Sequence, residues 1–270
     1  MKKIIVFTLV LCLALAGCSK AAPKTETENE AKTIAAVSPK GNYTDEMKIK
    51  HDEDLSPEDG ADSVERMGDH KDSPYFNQLD FYNMQSTETL TILPKFKTLQ
   101  QTSEWSCGVT SALMVLNHYN KLGDYNEKIL AQFRSNGLTS EGTSLRQLME
   151  IFNEVGGFDL YSTFDCAEDP QSVFTFDYIK KNLKEGTPII VGWNDWGGHW
   201  QVIIGFDDMG TETTQDDVII VADSYDTTDH NQDGYGIYGA ERFLYNFTFY
   251  NFFEESELND MVFLVATPKA

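Results

Sequence analysis

The chain has 270 residues, 41% of them hydrophobic and 12% aromatic, which suits one globular domain of ordinary core size with polar sequence to spare. Lys and Arg number 21 against 43 Asp and Glu, so the formal net charge of -22 excludes a nucleic-acid backbone binder and favours neutral or cationic partners. Beyond the N-terminal apolar run, no stretch reaches the roughly 20 residues that span a bilayer.

Met1-Lys2-Lys3 and the apolar residues from Ile4 to Gly17 make a secretory signal over residues 1–17. Its end, Leu15-Ala16-Gly17-Cys18, resembles the lipobox of bacterial lipoproteins. That resemblance implies cleavage before Cys18, thioether lipidation of its sulfur, and a chain anchored to the outer face of the bacterial cytoplasmic membrane. Two or more acyl chains, at about 0.8 kcal/mol per buried methylene, hold stably. Residues 18–71 are rich in Lys, Glu, Asp, Thr and Ser without apolar periodicity, the composition of a solvated acidic tether. Aromatic residues begin at Tyr75 and Phe76, so the folded domain is expected over 72–270.

Apolar residues at helical spacing, Val109, Ala112, Leu113, Leu116 and Tyr119, predict a helix beginning near Cys107 and capped by Gly123. A second helix is expected over 126–135, and a third after Thr143 or Ser144, with Leu145, Leu148, Met149 and Phe152 on one face before Gly156. A fourth runs from about Phe174 to Glu185. Strands rich in Val and Ile then follow at 188–193, 199–206, 218–223 and 261–266, and the aromatic stretch from Phe243 to Phe253 reads as core or as a helix on the sheet. Helices first and sheet second give an α+β fold, with N-terminal helices packed on a mainly antiparallel sheet.

The run Gln101-Thr-Ser-Glu-Trp-Ser-Cys107-Gly108 sets a thiol at the first turn of a helix, where the macrodipole and unpaired N–H groups favour thiolate. The Cys107 amide and the Gln101 side chain are suited to hold an oxyanion, a donor typically worth about 3 kcal/mol. Gly108 leaves room for substrate. A general base is required, and imidazole suits the task. His51 and His70 fall in the tether, and His118 lies eleven residues along the same helix, roughly 16 Å from Cys107 at ~1.5 Å per residue. His199, at the start of a strand after Trp196-Gly197-Gly198, is the remaining candidate. Its orienting acceptor should end a neighbouring strand. Asp207 and Asp208 point away from that end, whereas the polar loop at 211–215 returns Asp223 beside His199.

Gln101, Cys107-Gly108, an apolar helix, Gly198-His199 and the strand-ending Asp223 together resemble the papain-like cysteine peptidases related to double-glycine-leader, bacteriocin-processing peptidases, cysteine family thirty-nine. The resemblance covers roughly residues 90–267. It implies a papain-like fold, with Cys107 as nucleophile, His199 as base, Asp223 as its orienter and Gln101 as oxyanion donor. It also implies a peptide or protein substrate and no required cofactor. The leader peptidases carry Asp before the cysteine where this chain has Ser106, and Asp-Pro where it has Asp223-Ser224. They are also joined to a cytosolic-side transporter, whereas this chain carries an export signal, which points to the stand-alone exported relatives.

Asp229-His-Asn231-Gln-Asp233-Gly234 matches the opening of a calcium loop, with alternate oxygen ligands and a glycine at the sixth position. The twelfth position is Ala240 instead of Glu, so a cage would need Asp226, Glu241 or the Tyr235 carbonyl; a solvated acidic turn is the alternative. Trp105, Trp193, Trp196 and Trp200 flank the catalytic candidates and suit a cleft or the core. Cys166 is expected as a small buried residue, with a Cys107–Cys166 disulfide as the competing reading. Two functional alternatives stand beside a peptidase: a transglutaminase-like acyltransferase, and a surface binding module without turnover.

Overall fold

The Val- and Ile-rich runs of the C-terminal half pair into a single sheet because each offers an apolar face that only a neighbouring layer can bury. A computed structural model describes residues 46–50, 79–166, 169–195, 197–227, 233–247 and 261–270, all within one compact unit, Val37–Ala270. The signal over 1–17 and Cys18 lie outside the described residues. No helix among the described residues is long and apolar enough to cross a membrane.

In chain order the elements are β1 (Leu90–Ile92), α1 (Cys107–His118), α2 (Glu127–Ala131), α3 (Leu145–Val155), β2 (Phe158–Ser162), α4 (Pro170–Val173), α5 (Phe176–Lys184), β3 (Ile189–Trp193), β4 (His199–Asp207), β5 (Val218–Asp223), β6 (Tyr235–Gly239), α6 (Ala240–Asn246) and β7 (Val262–Pro268). The seven strands form one sheet in the order β2-β7-β3-β4-β5-β6, with β1 pairing the far end of β4. Every pairing is antiparallel. The fold is α+β as expected.

Residues Cys107 to Leu116 of α1 are all buried, because this helix packs on the central strand β4 while α2 and α3 pack on it in turn. Ser111 Oγ donates to the Trp200 carbonyl at 3.2 Å, pinning helix to strand. Gly108 makes the approach feasible. A Cβ there would meet Thr143 Cβ at 2.7 Å and Trp200 Cδ1 at 3.1 Å, so its missing side chain accommodates protein neighbours, not the substrate for which the sequence reserved the space.

Helix ends differ from expectation for local reasons. α1 stops at His118, where Asn120 turns left-handed at φ 56°, four residues before the dihedral break at Gly123. The second helix is short, since Asn126 caps it through Ile129 N and the chain leaves at Gln132 to bring Arg134 inward. The third follows expectation: Ser144 and Gln147 form a reciprocal capping box, and Gly156 ends it at φ 74°. The fourth divides at Thr175, whose side chain caps α5. α6 opens the aromatic stretch, and Phe243 packs edge-on against Trp193 at 5.0 Å; residues 248–260 lie outside the described set.

The tether expected over 18–71 requires one correction. Met47 and Ile49 are buried, and the chain from 47 to 49 pairs in parallel with Thr98 through Ile49 N to Thr98 O at 2.9 Å and Thr98 N to Met47 O at 3.0 Å. The alternation Met-Lys-Ile-Lys supplies the reason: two apolar side chains face the domain while the lysines face outward. Thr98 Oγ1 in turn donates to the Asp233 carbonyl at 2.7 Å. Gly234, at φ 79°, leaves the space Thr98 occupies, since a Cβ there would lie 2.6 Å from Thr98 Cβ. Met47→Ala is therefore expected to cost about 3 kcal/mol, measurable as a lower urea midpoint; an unchanged midpoint would show that this segment does not stabilise the domain.

Candidate active site

β4 and β5 place the polar residues of the site. Their register sets Gln201 opposite Asp223, and β3 sets Trp193 opposite His199. Because side chains alternate along β4, His199 and Gln201 share one face, and Asp223 meets both. The His199 Nε2 donates to Asp223 Oδ1 at 2.7 Å, and Gln201 Nε2 donates to Asp223 Oδ2 at 2.7 Å. Tyr225 N adds a third bond to Asp223 Oδ1 at 2.7 Å. With Nε2 engaged, the hydrogen bond between His199 and Cys107 falls to Nδ1. Cysteine, histidine and aspartate thus form one connected chain.

His199 is only 5% exposed. Burial by itself lowers the pKa of an imidazole, but the Asp223 carboxylate and the hydrogen-bonded Cys107 outweigh it, and His199 stands well above its ordinary 6.5. Burial likewise opposes ionisation of Asp223, and His199, the Tyr225 amide and Gln201 overcome it, holding the carboxyl below its usual range. His118 is a different histidine. Burial lowers its pKa, and its Nε2 bonds the Gly186 carbonyl at 2.9 Å, fixing the end of α5.

Gln101 lines the same cavity as Cys107 and His199. Its Oε1 accepts from Ser224 Oγ at 2.8 Å, while its Nε2 donates to the carbonyls of Ser103 at 2.8 Å and Glu104 at 3.4 Å. The amide therefore braces the loop before Cys107. Its longer bond is the one an oxyanion would compete with.

Several residues that the sequence did not single out hold this arrangement. Glu127, carried by α2 and 3% exposed, accepts from Thr102 N (3.1 Å), Thr102 Oγ1 (2.8 Å), Ser106 Oγ (2.7 Å) and Thr110 Oγ1 (2.9 Å). These donors bracket Cys107 on both sides. Arg134, buried beside the same helix, stacks on Trp105 at 4.8 Å and donates to Thr143 Oγ1 and to carbonyls of the loop 137–142. Burial lowers its pKa, and the neighbouring Cys107 and Glu141 act against that. Gln201 also accepts from Trp193 Nε1 at 2.8 Å. A buried glutamine in an otherwise apolar strand was the available signal for that role; Glu127, in a short amphipathic helix, offered none.

Two cavities open at Cys107. One, of about 420 Å³, is lined by Gln101, Glu104, Cys107, Gly198, His199, Tyr225 and Thr227. The other, of about 180 Å³, is lined by Glu104, Trp105, Cys107, Ser140, Gly142, Thr143, Gly198 and Trp200. Trp105 and Trp200 thus serve the cleft, Trp193 serves the core, and Trp196 lies outside the described residues.

Both Cys107 and Cys166 are free thiols. Cys166 is half-buried near Tyr161 Oη and the Ser162 carbonyl, and burial pushes its pKa up. Of the residues singled out as calcium ligands, Asp229 and Asn231 lie outside the described residues. Asp233 is buried, with its Oδ1 accepting from Tyr235 N at 2.9 Å. Among the described residues no group of three or more acidic, histidine or cysteine side chains is arranged to hold a metal.

Comparison with known proteins gives a match to the model of the Peptidase_C39 like family over residues 70–249, which takes in Gln101, Cys107, His199 and Asp223. No curated protein matches the chain.

Two measurements test the geometry. Asp223→Asn removes the charge that raises the His199 pKa, so NMR titration of that imidazole should move to lower pH than in the parent protein; an unmoved titration would contradict the electrostatic account. Glu127→Ala strands four buried donors and should cost about 3 kcal/mol, whereas Glu127→Gln, which keeps an acceptor at Oε1, should retain most of that stability in the same denaturation assay.

Proposed function

The chain belongs to the Peptidase_C39-like family, and from that premise we propose that it is an extracytoplasmic, membrane-anchored cysteine peptidase that hydrolyses peptide bonds through a thioester on Cys107. The observation that carries this reading is the His199 ring, bonded at once to Asp223 and to Cys107 at the mouth of a cavity. Neither a binding surface nor a packed core calls for that arrangement.

The proposed chemistry follows from the bonds. Cys107 Sγ attacks the scissile carbonyl carbon as its proton resides on His199 Nδ1, and the carbonyl oxygen becomes an oxyanion. The Cys107 N–H, at the first turn of α1 with no intrahelical acceptor, and Gln101 Nε2 are the donors in reach. Collapse of the intermediate breaks the C–N bond, and the Nδ1 proton passes to the leaving nitrogen. A water then gives its proton to Nδ1 as its oxygen attacks the thioester, releasing the carboxylic acid and restoring the thiol–imidazole pair. Throughout, Asp223 keeps Nε2–H occupied, so that Nδ1 alone exchanges protons with sulfur, amine and water.

The raised pKa of His199 supports activity through neutral pH, because the imidazolium needed by the leaving nitrogen persists above the ordinary imidazole range. Anchoring is supported by Leu15-Ala16-Gly17-Cys18, with the stretch that follows leading to the docked segment at Met47.

Cys107→Ala should abolish cleavage of a peptide library, while Cys166→Ala should retain most of it. A thiol-directed electrophile at neutral pH should modify Cys107 at least about tenfold faster than Cys166, whose thiol burial holds protonated. Equal labelling of the two, with cleavage surviving in Cys107→Ala, would overturn the peptidase assignment. Transfer of the acyl group to a labelled amine in preference to water would instead identify an acyltransferase.

A further inference from the structure

The two cavities at Cys107 share one charged side chain besides the cysteine, and it is Glu104. No other acid and no lysine or arginine lines either space. Arg134, the buried cation behind Trp105, is committed to loop carbonyls, to Thr143 and to the indole face. The cleft therefore presents a negative charge that its own walls do not balance.

The geometry also gives that charge a direction. Tyr225 Oη donates to Glu104 Oε1 at 2.6 Å. Tyr225 is itself placed by its amide bond to Asp223 and stands edge-on to the His199 ring at 6.4 Å. The carboxylate is thus held toward the larger cavity, the one containing His199. A proton donor to the leaving nitrogen must face that nitrogen, so the cavity with His199 receives the leaving-group side of the substrate.

We propose that Glu104 selects peptides with a lysine or arginine side chain on the leaving-group side of the scissile bond. This rests on the peptidase reading above. The exposed carboxylate alone would give a weak ion pair in water, but substrate lying over the cleft excludes solvent from it and strengthens a charge-assisted hydrogen bond. Tyr225 keeps the carboxylate in place beforehand, so little side-chain freedom is lost on binding. An acidic side chain at that position meets repulsion from Glu104 and from the protein's net charge of -22.

The test is a peptide library randomised on both sides of the scissile bond, digested by the full protein and by Glu104→Gln, with products sequenced by mass spectrometry. Glutamine retains an oxygen to accept from Tyr225 and loses only the charge. In the parent protein, lysine or arginine on the leaving-group side should be cleaved about tenfold faster than norleucine, equivalent to ~1.4 kcal/mol; in Glu104→Gln that ratio should fall toward one. A ratio near one in the parent protein, a preference confined to the acyl side, or a preference that survives in Glu104→Gln overturns the assignment to Glu104 while leaving the peptidase intact. Absence of cleavage anywhere in the library, with Cys107 unreactive to electrophile, overturns the peptidase reading and this selectivity together.

Discussion

The site depends on a buried carboxylate that is fully satisfied. Asp223 could not remain ionised beneath a histidine without donors to replace water, and the fold supplies three: His199 Nε2, Gln201 Nε2 and the Tyr225 amide, each at 2.7 Å. Two of these come from alternate residues of β4 and the third from the turn that leaves β5, so the register between those strands creates the cluster. A slip of one residue would turn His199 and Gln201 to the opposite face and leave Asp223 buried without its partners. The same pair links fold stability to pH in both directions. His199, raised in the folded state, contributes stability that is complete below its unfolded value and lost as pH rises through the folded one. Asp223, lowered in the folded state, contributes stability present above its unfolded value and lost as pH falls through the folded one. Neutral to mildly acidic pH lies between those losses.

The order of chemical residues along the chain was legible because each belongs to a strong local pattern. Cys107 precedes a run of apolar residues at helical spacing, and His199 and Asp223 bound two Val- and Ile-rich strands whose short connection permits only an antiparallel return. The α+β order followed from the same patterns. Edge elements were less legible. β2 buries only its ends, and β6 is a Tyr-Gly-Ile-Tyr-Gly segment with Ile237 exposed, so neither shows the clean alternation of a half-buried strand. β1 has three residues, too few for a period. The segment at Met47 was hidden by its surroundings, because two apolar residues in a long acidic stretch barely change its composition.

Glycines show a second limit. Gly108 beside a nucleophile and Gly234 in an acidic loop each suggested a ligand, substrate in the first case and calcium in the second. In the fold each faces a threonine, Thr143 or Thr98, distant in sequence and close enough to exclude a Cβ. Sequence can register that a side chain is missing; which neighbour fills the space is a tertiary fact. Glu127 has the same character in reverse. Its three hydroxyl partners are unremarkable polar residues until α2 folds back under the start of α1, and only then does an isolated glutamate become the acceptor on which the Cys107 loop rests.

That carboxylate accounts for one departure from the related peptidases. Where they carry an aspartate directly before the cysteine, this chain has Ser106, whose hydroxyl donates to Glu127 at 2.7 Å. The negative charge at the N-terminal end of α1 is thus supplied from α2 instead of from the residue next to Cys107, and it complements the helix dipole from there. Because a carboxylate on a separate helix is fixed by tertiary packing, it can accept from Thr102, Ser106 and Thr110 together, which a side chain on the loop itself could not reach at once. The second departure is used in a similar way. Ser224 replaces a proline after the strand-ending aspartate, and its hydroxyl and carbonyl both bond Gln101 at 2.8 Å, through Oε1 and N respectively. Proline would fix the backbone of that turn without offering a hydroxyl; serine fixes the orientation of the Gln101 amide as well. Both substitutions transfer a constraint from the chain's local stiffness to hydrogen bonds between its helical and sheet halves, and the position of Cys107 against His199 is where those bonds converge.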